Sequence, residues 1–291
     1  MEQYLEKFLG WLAAEKAYSD NTIAAYRNDL SQFSKFIRDR SASGEPQSLT
    51  PELVTGYVED LQQASSQYAS STVARKVAAV KSFCHFLVDQ GIIASDPSAK
   101  LSSPKVKKQA PKTLMRADIE RLLAAVGQGN TPKEIRDRAL LELLCTTGMR
   151  VTEIVNLGLE DLDWEHNVVV CRGKGERQRK IPMGAAAESI NVYLQRARVG
   201  LVKPNSPPVL FLNQRGQKLT RQGVWLILKE AAQAAGIAVE VTPHTLRHSF
   251  AKLLVGSGTD LRHVQELLGH ANLSTTQVYR QVDTDKTPSD V

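Results

Sequence analysis

The sequence predicts a mainly α protein in two domains, the second carrying a small antiparallel β-sheet. Three observations lead there. Apolar residues recur at helical spacing through most of the chain. A stretch with prolines, serines and lysines but no hydrophobic period, 96–111, divides it into two parts. One β-branched run followed by a glycine-flanked turn, at 167–182, interrupts the helical pattern. At 291 residues and 42% hydrophobic content, the chain can fill two ordinary cores.

The first element is a helix over 1–17, with apolar residues at 4, 5, 8, 9, 11 and 12. Ser19, Asp20 and Asn21 offer caps for a second helix, with Ile23, Tyr26, Leu30, Phe33 and Ile37 on one face. Residues 41–48 read as loop by composition. Thr50 and Pro51, a cap and a proline in the first helical position, open a third helix to about Gln63. Ser70 and Ser71 cap a fourth, with Val73, Val77, Val80, Phe83, Phe86 and Leu87 inward, ending at Gly91. These four helices are expected to form a compact α domain over 1–98. The fourth also carries Arg75, Lys76 and Lys81 on what reads as its polar side, and no acid lies between Asp60 and Asp89. Such a row suits either a solvated face or a helix beside DNA.

A linker over 99–115 leads to the second domain, 116–291. Helices are expected over 117–126 and, capped by Thr131 and Pro132, through Leu144 to Thr146. Gly148 breaks that helix, and a short one follows over 151–157. Residues 167–172 form a strand, 173–177 a turn and 179–182 the return strand. Helices near 184–198, 220–235, 243–256, 260–268 and 272–280 complete the chain.

The formal net charge is +6 and the pI about 9.2. The distribution says more than the sum. Residues 1–100 hold 10 basic and 12 acidic side chains, whereas 101–116 hold Lys105, Lys107, Lys108, Lys112 and Arg116 and no acid. That segment is either a linker held open by self-repulsion or a strap along phosphates. Cys84, Cys145 and Cys171 are too widely spaced for a metal or disulfide pattern and read as small buried hydrophobes. The N-terminus is acidic where an export signal is basic, and no apolar run is long enough to span a membrane, so a cytoplasmic protein is expected.

The residues with chemistry cluster late. P-H-T-L-R-H-S-F at 243–250, L-L-G-H at 267–270 and S-T-T-Q-V-Y at 274–279 bring together His244, Arg247, His248, His270 and Tyr279. Arginine matches a phosphate, histidine moves protons and a tyrosine hydroxyl can attack phosphorus, so the set suggests covalent chemistry on a phosphodiester. Each has a plainer reading beside it: Tyr279 as a packed core residue, His270 as a helix-end cap, His244 and His248 as two zinc ligands. The last lacks a third ligand and the Glu of H-E-x-x-H, so no metal is expected. Earlier, Arg150 follows the Gly148 break with Glu153 three residues on. The pair is either a surface ion pair or an arginine held ready for a phosphate. Lys174 lies between two glycines at the hairpin tip, as an exposed turn lysine or as a mobile ammonium able to protonate a leaving oxygen. The triphosphate-loop pattern is absent around it.

Together, T-G-M-R-V-T-E-I at 147–154, G-K-G-E-R-Q-R-K-I-P at 173–182 and the three late motifs resemble those of the tyrosine recombinase (phage integrase) family, most closely its bacterial Xer-type members. The N-terminal segments S-D-N-T-I-A-A-Y-R-N-D-L and S-T-V-A-R-K-V-A-A-V-K-S-F are similar to that family's SAM-like, helical DNA-clamping domain. The resemblance implies a catalytic set of Arg150, Lys174, His244, Arg247, His270 and Tyr279, with Glu153 supporting Arg150. Tyr279 would be the nucleophile, forming a 3′-phosphotyrosine, and Lys174 would protonate the 5′-oxygen. It also implies DNA contacts by Arg75, Lys76, Lys81, Lys105, Lys107 and Lys108, no cofactor, and a homo- or heterotetramer on two DNA sites that exchanges strands through a Holliday junction. A second Xer-type recombinase or a DNA translocase is an implied partner, and chromosome- or plasmid-dimer resolution the implied role. Mobile-element integration, a type IB topoisomerase, a catalytically idle DNA-binding protein and a metal-dependent nuclease are the alternatives. Residues 280–291 after the tyrosine are polar and shorter than the tail by which such proteins dock on a neighbouring subunit.

Overall fold

The computed structural model describes residues 1–16, 18–41, 43–63, 68–102, 112–172 and 178–269. The chain forms two compact units, Met1–Gln109 and Ala110–Val291.

The first unit is the expected set of four helices: α1 (Glu2–Ala14), α2 (Asp20–Arg40), α3 (Pro51–Gln63) and α4 (Ser70–Asp89). Ser19 caps α2 by accepting from the Thr22 N–H at 3.4 Å. The helical stripes read from the sequence meet in one core, with Phe8, Phe33, Ile37, Val77, Phe83 and Leu87 at 0–1% exposure. Phe8 sits edge-on to Phe83 at 5.5 Å between centroids.

One expectation is corrected here. Lys76 does not lie on a polar face. It is 2% exposed, and its ammonium donates to Asp29 Oδ1 at 3.1 Å and Gln32 Oε1 at 2.7 Å, with the Tyr68 ring 5.2 Å away. A lysine one position before the inward Val77 falls at the edge of the apolar stripe. The buried Asp29 on the facing α2 draws it in.

In the second unit, α5 (Arg116–Ala124) and α6 (Pro132–Thr147) lead to the short α7 (Val151–Asn156). Thr131 and Glu134 cap α6 reciprocally: Thr131 Oγ1 accepts from the Glu134 N–H at 3.3 Å, and Glu134 Oε2 accepts from the Thr131 N–H at 3.0 Å. Leu140, Leu141, Leu143 and Leu144 are all at most 1% exposed, so α6 is buried nearly all round. The sheet has three antiparallel strands rather than the two expected: β1 (Leu162–Asp163), β2 (Val168–Arg172) and β3 (Gln178–Pro182), in that order. A two-residue strand carries no alternation for sequence reasoning to find. Val169 pairs with Leu162 on one side and Ile181 on the other. After α8 (Ala186–Val192) the chain continues through a π-helical stretch, Tyr193–Arg198, into α9 (Val199–Leu201). Then come α10 (Arg221–Ala234), α11 (Pro243–Gly256) and α12 (Leu261–Leu268). The expected helix at 272–280 lies outside the described residues.

Candidate active site

The site grows from the break between α6 and α7. Gly148 ends α6 in the left-handed region, at φ +57°, and a Cβ there would fall 2.4 Å from Phe250 Cδ1. Glycine alone lets α11 pack this close. Two residues later, Arg150 is the N-cap of α7. Its backbone N–H donates to Glu153 Oε2 at 2.7 Å and its Nη1 to Glu153 Oε1 at 3.0 Å. The three-residue spacing does bring the two together, but not as a solvent-screened surface pair, because the Glu153 side chain is only 11% exposed.

Glu153 has a second cation. Arg179 of β3 donates Nη1 to Oε1 at 2.9 Å and Nη2 to Oε2 at 2.8 Å, a bidentate pair. Burial pushes the Glu153 carboxyl up, but the hydrogen bonds from Arg179 and the Arg150 backbone, with the charges of both guanidiniums, outweigh it and hold Glu153 below the usual carboxylate range. Arg179 was missed in the sequence. Strand alternation was the available signal: Arg179 shares the inward face of β3 with the buried Ile181, and an inward arginine needs a buried acceptor.

Arg247 arrives from α11, a helix capped by Thr242 with Pro243 in its first turn. It is 5% exposed, and its Nη1 donates to the Gly148 carbonyl at 2.7 Å. The three arginines then converge on one helix end. Arg179 Nε donates to the Leu267 carbonyl at 2.8 Å, Arg247 Nη2 to that of Leu268, and Arg150 Nη2 to that of Gly269 at 2.9 Å. Three successive carbonyls at the C-terminus of α12 thus each receive a guanidinium. Helix-end carbonyls are the negative pole of the helix, which is why guanidiniums gather there, and the partly exposed Arg150 leaves positive charge facing solvent where an anion can approach.

His244 lies exposed in the first turn of α11, and His248, one turn on, is half-buried. Burial lowers the His248 pKa, and electrostatic interaction with the neighbouring His244 and Arg247 lowers it further. Among the described residues, no three His, Cys, Asp or Glu side chains converge as a metal site. Cys171 of β2 lies near Glu153, and burial pushes its thiol up to about 12.

Arg150, Glu153 and Arg247 are therefore brought together, with His244 on the same helix as Arg247. Lys174, His270 and Tyr279 lie outside the described residues, as do Lys105, Lys107 and Lys108. Of the remaining candidate DNA contacts, Lys76 is buried as described. Arg75, with about half its side chain exposed, pairs with Asp29, and the Lys81 ammonium donates to the Leu101 carbonyl at 3.0 Å.

Comparison with known proteins agrees in both units. Residues 112–286 match the phage integrase family, and residues 5–91 match the phage integrase N-terminal SAM-like domain. The chain is 46% identical to a tyrosine recombinase XerC of Roseiflexus castenholzii over 97% of its own length and 90% of that protein's. It is 41% identical to a tyrosine recombinase XerD of Listeria monocytogenes over 97% of its length and 95% of that protein's. Among solved structures, the XerH site-specific recombinase bound to a palindromic difH substrate shares the fold at a TM-score of 0.77, with 23% identity, covering 96% of this chain and 81% of that one. These matches span both units and include the motifs that place Arg150, Glu153 and Arg247, so the chain belongs to the phage integrase family of tyrosine recombinases.

Proposed function

We propose that this protein is a site-specific DNA recombinase that breaks and rejoins strands through a 3′-phosphotyrosyl intermediate. The observation that carries the reading is the convergence of Arg150 and Arg247 on adjacent carbonyls, Gly269 and Leu268, at the end of α12. His270 follows directly in sequence and Tyr279 nine residues later. Two guanidiniums placed side by side match two non-bridging oxygens of one phosphate. Their donors are fixed before substrate arrives, which is how charge in a phosphoryl-transfer transition state is best stabilised.

In this reading Tyr279 Oη attacks phosphorus while the bond to the 5′-oxygen breaks. Lys174 supplies the proton to that oxygen, leaving a 5′-hydroxyl and a 3′-phosphotyrosine. His244 assists proton transfer at the tyrosine, and His270 hydrogen-bonds the phosphate or positions the nucleophile. Attack by the 5′-hydroxyl of a partner duplex reverses the step, so the phosphodiester energy is kept in the covalent link. The half-exposed Arg150 can meet a phosphate from solvent, whereas the Glu153 charge is offset by Arg150 and Arg179 and serves to orient the arginine. Residues 1–98 serve as a DNA clamp, 99–115 as a basic connector and 116–291 as the catalytic domain. Strand exchange in pairs through a Holliday junction requires a tetramer on two sites, homomeric or heteromeric, with a second Xer-type recombinase or a DNA translocase as the partner proposed. Resolution of chromosome or plasmid dimers is the role proposed.

The test uses a nicked suicide duplex whose site has been selected from a random-sequence library by the full chain. The native protein is expected to accumulate a covalent 3′-adduct and Tyr279→Phe none. An adduct persisting in Tyr279→Phe overturns the nucleophile assignment.

A further inference from the structure

We propose that Arg179 is a positioning residue of this active site: by occupying both oxygens of Glu153 together with the Leu267 carbonyl, it fixes how Arg150 is presented to a DNA phosphate. This rests on Arg150 being the phosphate clamp proposed above.

The geometry of Glu153 is the starting point. Oε1 accepts from Arg150 Nη1 and Arg179 Nη1, and Oε2 accepts from the Arg150 backbone N–H and Arg179 Nη2. An ionised carboxylate has about four acceptor positions, and here all are used. The carboxylate therefore cannot turn without losing a bond, and the Arg150 rotamer is fixed with it. Arg179 supplies half of that restraint. Its own three guanidinium nitrogens all donate to protein groups, Nε to Leu267 and both Nη to Glu153, and its side chain is 14% exposed against 38% for Arg150. The two arginines have divided the work: Arg179 faces inward as a brace, while Arg150 keeps an exposed edge.

Charge points the same way. A buried Glu153 with Arg150 alone would be a neutral pair, with the guanidinium drawn onto its carboxylate. With Arg179 the trio carries a net positive charge, and Arg150 shares its counter-ion. An apolar residue beside Ile181 would fill the inward face of β3 at no desolvation cost, so packing does not call for an arginine there. Lysine lacks the planar fork that spans two carboxylate oxygens. The bond to Leu267 further couples this brace to the end of α12, the same three-carbonyl terminus that Arg150 and Arg247 engage.

The experiment measures covalent-adduct formation on the nicked duplex by the full chain, from mildly acidic to neutral pH, for Arg179→Met, Arg179→Lys, Glu153→Gln and the Arg179→Met/Glu153→Gln double variant. Among the described residues, the charged or titratable groups around Glu153 are Arg150, Arg179 and Cys171, with Arg247 acting on Cys171 and the Asp161–Arg172 pair lining the same pocket. Burial holds the Cys171 thiol up near 12, so it stays neutral over this range. Removing Arg179 takes away a cause of the lowered Glu153 pKa, so the acidic limb of the variant's rate profile moves to higher pH. Arg179→Met is expected to slow the reaction about 10²-fold at neutral pH, the size of a displaced positioning group, and further on acidification. Arg179→Lys restores the shape of the pH profile while remaining about 10-fold slow. In the Glu153→Gln background, Arg179→Met costs less than about threefold, because the two act as one unit. A loss of equal size at every pH and in both backgrounds overturns the proposal, as do native-like rates. Should Arg179→Met fail to fold, Arg179→Lys decides: its slow rate with a native profile supports the brace, and a native rate overturns it. Arg150→Ala is the control: native adduct formation there overturns the clamp reading and this proposal with it. A dead Arg150→Ala beside native-like Arg179 variants overturns this proposal alone.

Discussion

Each unit of the molecule contains a buried carboxylate shared by two cations, and the two arrangements end differently. In the first unit, Asp29 holds Arg75 and Lys76; in the second, Glu153 holds Arg150 and Arg179. Lys76 is enclosed, its ammonium spent on Asp29, Gln32 and the Tyr68 ring, and it joins α4 to α2. The Glu153 cluster is tied instead to a helix end and a turn, and one of its arginines keeps an exposed edge. The same elements, an acid and two bases, thus serve as an internal staple in one place and as a ligand-facing site in the other. Solvent access does not separate them, since the Arg75 side chain is 48% exposed and that of Arg150 38%; the difference is that the Glu153 arginines meet a third, Arg247, at the end of one helix.

The comparison can be sharpened by substituting a buried cation on each side. Arg247→Ala should reduce adduct formation about 10³-fold, the scale for a charge-stabilising donor to a transferring group. Its effect is read in kinetics on the suicide duplex. Lys76→Met should act on folding, costing the first unit roughly 3 kcal/mol by leaving Asp29 short of a buried partner. Denaturant unfolding measures it. Cleavage by Lys76→Met at a temperature where it is folded should stay near native, and a specific loss of chemistry there would break the distinction. Arg75→Ala should cost under about 1 kcal/mol, since half of its side chain is in water.

Glycines give a finer contrast. Gly148→Ala forces a side chain into the left-handed region and onto Phe250, and is expected to destabilise the second unit by about 2 kcal/mol. Gly56→Ala in α3 meets only Phe36 Cζ at 3.9 Å and should stabilise the first unit by about 0.5 kcal/mol through helix propensity. Thermal unfolding of each variant checks the two signs.

Much of this was legible in the sequence, for identifiable reasons. The four N-terminal helices carry uninterrupted apolar stripes, and Ser19 and Thr131 announce their helices. Arg150 and Glu153 could be paired because helical geometry brings residues three apart together. Arg247 could be chosen because it sits among histidines near a proline-capped helix start. The failures were equally physical. Lys76 reads as part of a polar side, solvated or facing DNA, because helical spacing cannot reveal that Asp29 waits on the facing helix. Arg179 carries no local signal of its partners, Glu153 and Leu267, because they are 26 and 88 residues away in sequence. Strand β1 was missed because two residues make no pattern. Local order is written in periodicity, whereas charge pairing across elements appears only once the elements are packed.

The most direct test of the account is the rate of covalent-adduct formation by Arg150→Ala on the selected suicide duplex, read beside its thermal midpoint. The arginine-lined end of α12 is expected to be a phosphate site, so cleavage should fall about 10³-fold or more while the midpoint stays within a few degrees of native. Native-rate cleavage by Arg150→Ala, whatever its stability, would contradict the account.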